Sequence, residues 1–249
     1  MKRVLVGAAA LSLLSVTAAY DNCSVREGEP EERIAAEIAA VAGDEAVAVR
    51  HVCQACVAVL GADGVSLSVI GDLGTAEPAH ATDDIAERVV ELEIVHGGGP
   101  VVLALNQDDP VLLPRLVADR RWPLLVPALA EAGAAALFAF PLADGGVTVG
   151  VLELYQRRPR ALTENEVSDG LLFAQSGLEL LVSSDDDVLA GPVADRWARV
   201  NQAVAMVSRQ VGSSLEDAYA RLRAHAFVTG RRLPDIAGDV LAGHLGFGV

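Results

Sequence analysis

"AALFAFPL" (135–142) and "VTVGVLELYQ" (147–156) are two strand-length apolar runs joined across Ala143-Asp144-Gly145-Gly146. Runs rich in branched and aromatic residues on either side of an Asp-Gly-Gly turn read as an antiparallel hairpin. A hairpin is not stable alone, so its apolar faces need cover from the rest of the chain.

Upstream, residues 30–60 read as two helices. Ile34, Ile38 and Val41 recur at helical spacing, and Gly43-Asp44 interrupts them. "VSLSVI" (65–70) alternates and follows Asp63-Gly64, which predicts a strand. Residues 83–92 predict a short helix and Gly97-Gly98-Gly99-Pro100 a sharp turn. "VVLAL" (101–105) predicts a short strand, and 122–132 a helix that Gly133 ends. Helices and strands in this order predict an α+β unit, a central antiparallel sheet with helices on one face.

Downstream of the hairpin the character is helical. Thr163 and Glu166 form a capping box. Val167, Leu171, Ala174, Leu178 and Leu181 then repeat at spacings of four and three. After the polar break Ser183–Asp187 and Gly191-Pro192, the pattern resumes at Val193, Trp197, Val200, Val204, Val207 and Val211. Such a two-piece seam predicts a homodimer contact through Leu171, Leu178, Leu181 or the Val193–Val211 stripe, the alternative being that each stripe faces its own domain. Gly212 and Gly230 end two helices, Ser214 with Asp217 caps the second, and Leu233-Pro234 begins a third. The predicted divisions are 1–29, an apolar leader; 30–183, the sheet-bearing unit; 184–192, an acidic linker; and 193–249, a small three-helix bundle.

The net charge is −15, distributed unevenly. Residues 193–249 hold seven Arg and five Asp/Glu, a net +2, behind a region of −17. Any nucleic acid is therefore steered to the tail. Cys53 and Cys56 lie mid-helix with Val49, Val52 and Val59, which predicts buried thiols rather than a metal or redox pair. "MKRVLVGAAALSLLSVTAA" has the form of a secretory signal peptide; a misassigned start is the other reading. No later stretch is long and apolar enough to span a bilayer. No nucleophile elbow, P-loop or metal set is present, so no catalytic residue, cofactor or metal is expected.

"VNQAVAMVSRQVGSSLEDAYARLRAHAFVTGRRLPDIAGDVL" (200–241) resembles the ANTAR domain, a three-helix RNA-binding module of bacterial antiterminators. Gln202-Ala203, Met206-Val207, Gln210, Gly212, Ala218, Leu222-Arg223, Ala226 and Leu233 carry the likeness. "VHGGGP" (95–100), "ADRRWPLLVPALAEAGAAALFAFPL" (118–142) and "GVLELYQRRPRALTENE" (150–166) resemble the GAF domain that accompanies ANTAR in actinobacterial regulators. The resemblance implies a GAF-like sensor, an ANTAR-like bundle binding hairpin RNA in nascent transcripts, and a cytoplasmic location, with export as the alternative that the leader suggests. Arg196, Arg199, Gln202, Arg209, Arg221, Arg223, Arg231 and Arg232 are the expected RNA contacts. Arg231 and Arg232 stand where the next helix's free N–H groups can join them on a phosphate. His96, Trp122 and Tyr155 are the expected lining of a pocket for an unidentified small molecule. Gly238, Gly243, His244 and Gly246 stand where the family carries arginines, which implies a shallow salt dependence. The alternative is a dimeric, non-enzymatic signalling or ligand-binding scaffold whose tail has lost RNA binding.

Overall fold

The computed structural model describes residues 30–183 and 189–248. The leader, Cys23 and most of the acidic linker lie outside the described residues.

The hairpin forms as read. Strands β4 (Ala136–Asp144) and β5 (Val147–Gln156) pair antiparallel and close on a two-residue turn. Gly145 (φ 58°) and Gly146 (φ 81°) supply the positive φ angles that such a turn needs. Around the hairpin, β1 (Gly64–Ile70), β2 (Ala76–Ala81) and β3 (Val111–Leu113) complete an antiparallel sheet of order β2-β1-β5-β4-β3. Cross-strand register fixes its two faces. Leu67, Leu152 and Phe140 share one face, and Ser66, Glu153 and Ala139 the other.

Helices cover both faces, where the sequence predicted one. On the Leu67 face lie α2 (Val49–Leu60) and α6 (Glu164–Ser183), with α1 (Pro30–Ala42) packed on both of them. Gly177 of α6 stands against Leu67 and Leu142, and the Phe140 ring occupies the space where Gly170 would carry a side chain. Both glycines let α6 approach the sheet closely. Cys53 and Cys56 are buried mid-helix on α2, and burial pushes both thiols up. The Thr163–Glu166 capping box is present in both directions: Glu166 Oε2 accepts from Thr163 N at 2.8 Å, and Thr163 Oγ1 from Glu166 N at 3.3 Å.

The opposite face carries α3 (Asp84–His96) and α4 (Pro100–Gln107), and α5 (Leu125–Glu131) packs against α3. Residues 101–105 are therefore helix, not strand. Pro100 fits a first helical turn, and Val101 and Ala104 turn inward three residues apart. The remote Glu93 carboxylate caps the helix by accepting from Val101 N at 2.7 Å.

The tail forms α7 (Pro192–Val211), α8 (Leu215–Thr229) and α9 (Leu233–Leu241). Gly212 and Gly230 end the first two in left-handed conformation, and Ser214 Oγ accepts from Asp217 N at 3.1 Å. Val193, Trp197, Val200, Val204 and Val207 are buried within the chain, against β2, α8 and α9. This stripe therefore faces its own chain, the alternative to a dimer contact there. Leu178 is likewise buried and belongs to the core under α6. The tail core runs continuously into the α3 side of the sheet core.

Candidate functional site

Helix α3 organises the site. Asp83 begins it, its Oδ1 accepting from Ala86 N at 2.7 Å. Ile85, Val89, Val90, Leu92, Ile94 and Val95 distribute apolar residues around the whole helix, so it must be buried on most sides. Glu87, Glu91 and Glu93 are consequently buried carboxylates that need partners.

Glu87 and Glu91, one turn apart, find theirs in the tail. Arg196 of α7 donates Nε to Glu87 Oε1 at 3.0 Å and Nη2 to the other oxygen. Arg232 donates Nε to Glu91 Oε2, and its Nη2 lies 3.8 Å from Glu87. Glu91 Oε1 accepts from Leu233 N at 2.6 Å, at the first turn of α9. Arg88 completes the group, 3.1 Å from Glu91. The junction expected to receive a phosphate, Arg232 and the N-terminus of α9, thus holds a carboxylate of this same chain.

Glu93 points elsewhere. It and Glu153 of β5 are fully buried, and neither Glu153 oxygen meets a donor. Burial and mutual repulsion push Glu93 well above the usual carboxylate range, and burial raises Glu153 from 4.5 to about 7. A proton held between the two carboxyls gives Glu93 Oε1 and one Glu153 oxygen a partner.

The Gly97-Gly98-Gly99 turn ends α3 by admitting three side chains. Gly97 has φ 71°, and a β-carbon there would collide with the Arg223 guanidinium. The Trp122 ring comes within 3.3 Å of the place where Gly98 would carry a β-carbon. Gly99, at φ 144°, leaves room for the Glu93 carboxyl.

Beside this turn is a cavity of about 530 Å³ between the end of α3, residues 121–125 and α8. His96 and Trp122 line it, as expected. Tyr155 does not: it is buried near the opposite end of α3, roughly 18 Å along the helix axis, and its hydroxyl donates to Asp83 Oδ2 at 2.7 Å. Phe227 meets His96 edge-on, with ring centroids 5.1 Å apart. Arg121 stacks 4.4 Å over Trp122 and is paired with Asp119 at 2.6 Å.

The expected RNA residues divide into groups. Arg196 and Arg232 are bound to α3. Arg223 is half-buried at the cavity rather than on an open face. Arg231 pairs with Asp239 at 2.7 Å. Arg199, Gln202 and Arg209 are exposed and, at spacings of three and seven, share one face of α7. Arg221 is exposed on α8. Glu87, Glu91, Glu93 and Glu153 were absent from the expected set. The signal was present for α3: carboxylates inside a helix apolar on all sides must be buried and paired.

A family model described as the GAF domain matches residues 44–176. The chain belongs to the GAF domain family. The five-stranded antiparallel sheet with its helices is the GAF part of the molecule, and it is a signalling domain. Solved structures with a similar fold include the GAF domain of an Acinetobacter phosphoenolpyruvate-protein phosphotransferase. That match has 13% identity and a TM-score of 0.46, and covers 64% of this chain and 96% of that one. The corresponding domain from Coxiella burnetii has 18% identity and a TM-score of 0.44, covering 62% and 91%. A type II free methionine-R-sulfoxide reductase from Thermoplasma acidophilum has 12% identity and a TM-score of 0.40, covering 62% and 96%. No curated protein sequence matches the chain. Among the described residues no single helix is long and apolar enough to cross a membrane.

Proposed function

We propose that this chain is a non-enzymatic, cytoplasmic antitermination regulator, a GAF sensor controlling an ANTAR-like tail that binds hairpin RNA. The observation that carries the reading is Glu91 at the junction of Arg232 and the N-terminus of α9. That junction suits an anionic oxygen, and a sensor carboxylate there competes with an RNA phosphate for it. Arg199, Gln202 and Arg209 remain on an open face of α7 to meet RNA first. Release of Arg196 and Arg232 from α3 then adds two cations to the RNA-facing surface. RNA modules of this size read exposed loops, where guanidinium groups both pair with phosphates and stack on bases.

The Arg196–Glu87 pair also favours a second reading, the scaffold, in which the tail is a permanent cap on the sensor. Titration of the full chain with tandem-hairpin RNA at two salt concentrations separates the two. The regulator reading expects binding that weakens with salt, and tighter binding by Glu87→Gln/Glu91→Gln. Absence of salt-dependent binding by both proteins establishes the scaffold. A homodimer would use the exposed Leu171 and Val182 of α6. Sedimentation of the wild type and Leu171→Asp checks that assembly.

A further inference from the structure

We propose that the cavity between α3, residues 121–125 and α8 binds a small organic acid with a flat apolar body, and that Arg223 holds its carboxylate. The volume of about 530 Å³ lies in the range of small-molecule sites. Its walls suit a flat apolar group: Trp122, Phe227, Val95 and Leu125 all line it. Leu124, Phe227 and Val228, respectively 68%, 46% and 82% exposed, also line this space. Large apolar side chains left in solvent around one concavity mark a binding surface.

The polar groups select the charge. Arg121 already has Asp119 as its counterion, and His96 Nδ1 is committed to the Leu92 carbonyl at 2.7 Å. Arg223 forms no ion pair among the described residues, and its Nε is buried without an acceptor. Its guanidinium lies over Gly97 and 5.8 Å from the Tyr219 ring, so it is held in place without being neutralised. A buried guanidinium N–H lacking an acceptor is costly, and a carboxylate supplies two oxygens in matching geometry. Among the described residues no carboxylate lines it to favour an amine. The GAF domain contributes His96 and Trp122, and the tail contributes Arg223 and Phe227. A ligand that touches both therefore stabilises their docked arrangement. The site stands independently of RNA binding.

Calorimetric titration of the full chain with 2-naphthoate and with 2-naphthalenemethanol tests this. The expected result is saturable one-to-one binding, with the acid at least about tenfold tighter than the alcohol. Arg223→Gln should abolish that preference and leave the alcohol's affinity unchanged. Ala224→Phe, at an exposed position lining the cavity, should weaken both probes while Arg223 stays in place. It carries the test should Arg223→Gln fail to fold. Equal affinity for acid and alcohol overturns the assignment of charge. An unchanged preference in Arg223→Gln overturns the role of that residue. No saturable binding of either probe, or binding untouched by Ala224→Phe, overturns the site. No RNA enters these titrations, so their failure is distinct from failure of the antitermination reading.

Discussion

On the side covered by α2 and α6, the sheet presents Leu67, Phe138, Phe140, Leu142, Leu152 and Leu154. On the side covered by α3 and α4, the same strands present Ser66, Ser68 and Glu153, and α3 adds Glu87, Glu91 and Glu93. The first side is closed mainly by apolar contacts and, among the described residues, buries no carboxylate. The second is stable only when each charge is met by a proton, a helix N-terminus or an arginine from the tail. Polar groups buried at a cost mark where a domain communicates, because their partners can be exchanged.

The largest expected effect lies on the apolar side. Phe140→Ala should lower stability by about 3–5 kcal/mol in chemical denaturation, since Gly170 leaves no side chain to fill the space. The loss should be the same at pH 5 and pH 8. If it varies with pH, the contrast between the two faces fails.

The next effect belongs to the opposite side. Glu153 is raised from 4.5 to about 7, so the folded chain keeps a proton that the unfolded chain releases. That contribution is fully present below about 4.5 and is lost as pH rises through about 7. The loss is on the order of 2–3 kcal/mol. Glu153→Gln should flatten this part of the stability profile and gain relative to the wild type at pH 8. Melting temperatures across pH 5–8 check both.

Glu91→Gln should cost about 1–3 kcal/mol, because Arg232 loses its counterion but retains partial access to water. The sharper readout is positional. Limited proteolysis should cut at the Gly230 turn sooner than in the wild type.

The smallest effect on stability accompanies the clearest effect on binding. Arg199→Ala/Arg209→Ala should change stability by less than about 0.5 kcal/mol, since both residues are exposed. The slope of log affinity against log salt should fall by about two, one for each phosphate left without its arginine. An unchanged slope places the RNA face elsewhere in the tail.

The legible parts of the fold were those with local signals. The Asp-Gly-Gly hairpin, the Thr163–Glu166 capping box, the Ser214 cap and the tail helices all depend on residues a few positions apart. Residues 101–105 were misread because five consecutive apolar residues fit both periods, and the cap that decides for helix comes from Glu93, eight positions upstream. Strand β2, "AEPAHA", escaped because it lacks a clear apolar alternation and contains Pro78, which an edge strand tolerates. In the candidate site, residue type identified His96, Trp122 and the tail arginines, but not what they touch. Arg196 and Glu87 are 109 positions apart, and Arg232 and Glu91 are 141 apart. No local pattern links them.

The continuity of the tail core with the α3 side of the sheet has a consequence for synthesis. The ribosome releases α3 and the whole sheet before α7 begins. Until residues 193–240 emerge, Glu87 and Glu91 lack Arg196 and Arg232, and the surface awaiting Val200 and Val204 is open. The nascent GAF domain therefore passes through an interval with an uncovered apolar face, with Glu87 lacking Arg196 and Glu91 left with Arg88 alone. Domains exposed in this way are candidates for chaperone binding, and the interval ends when the tail docks.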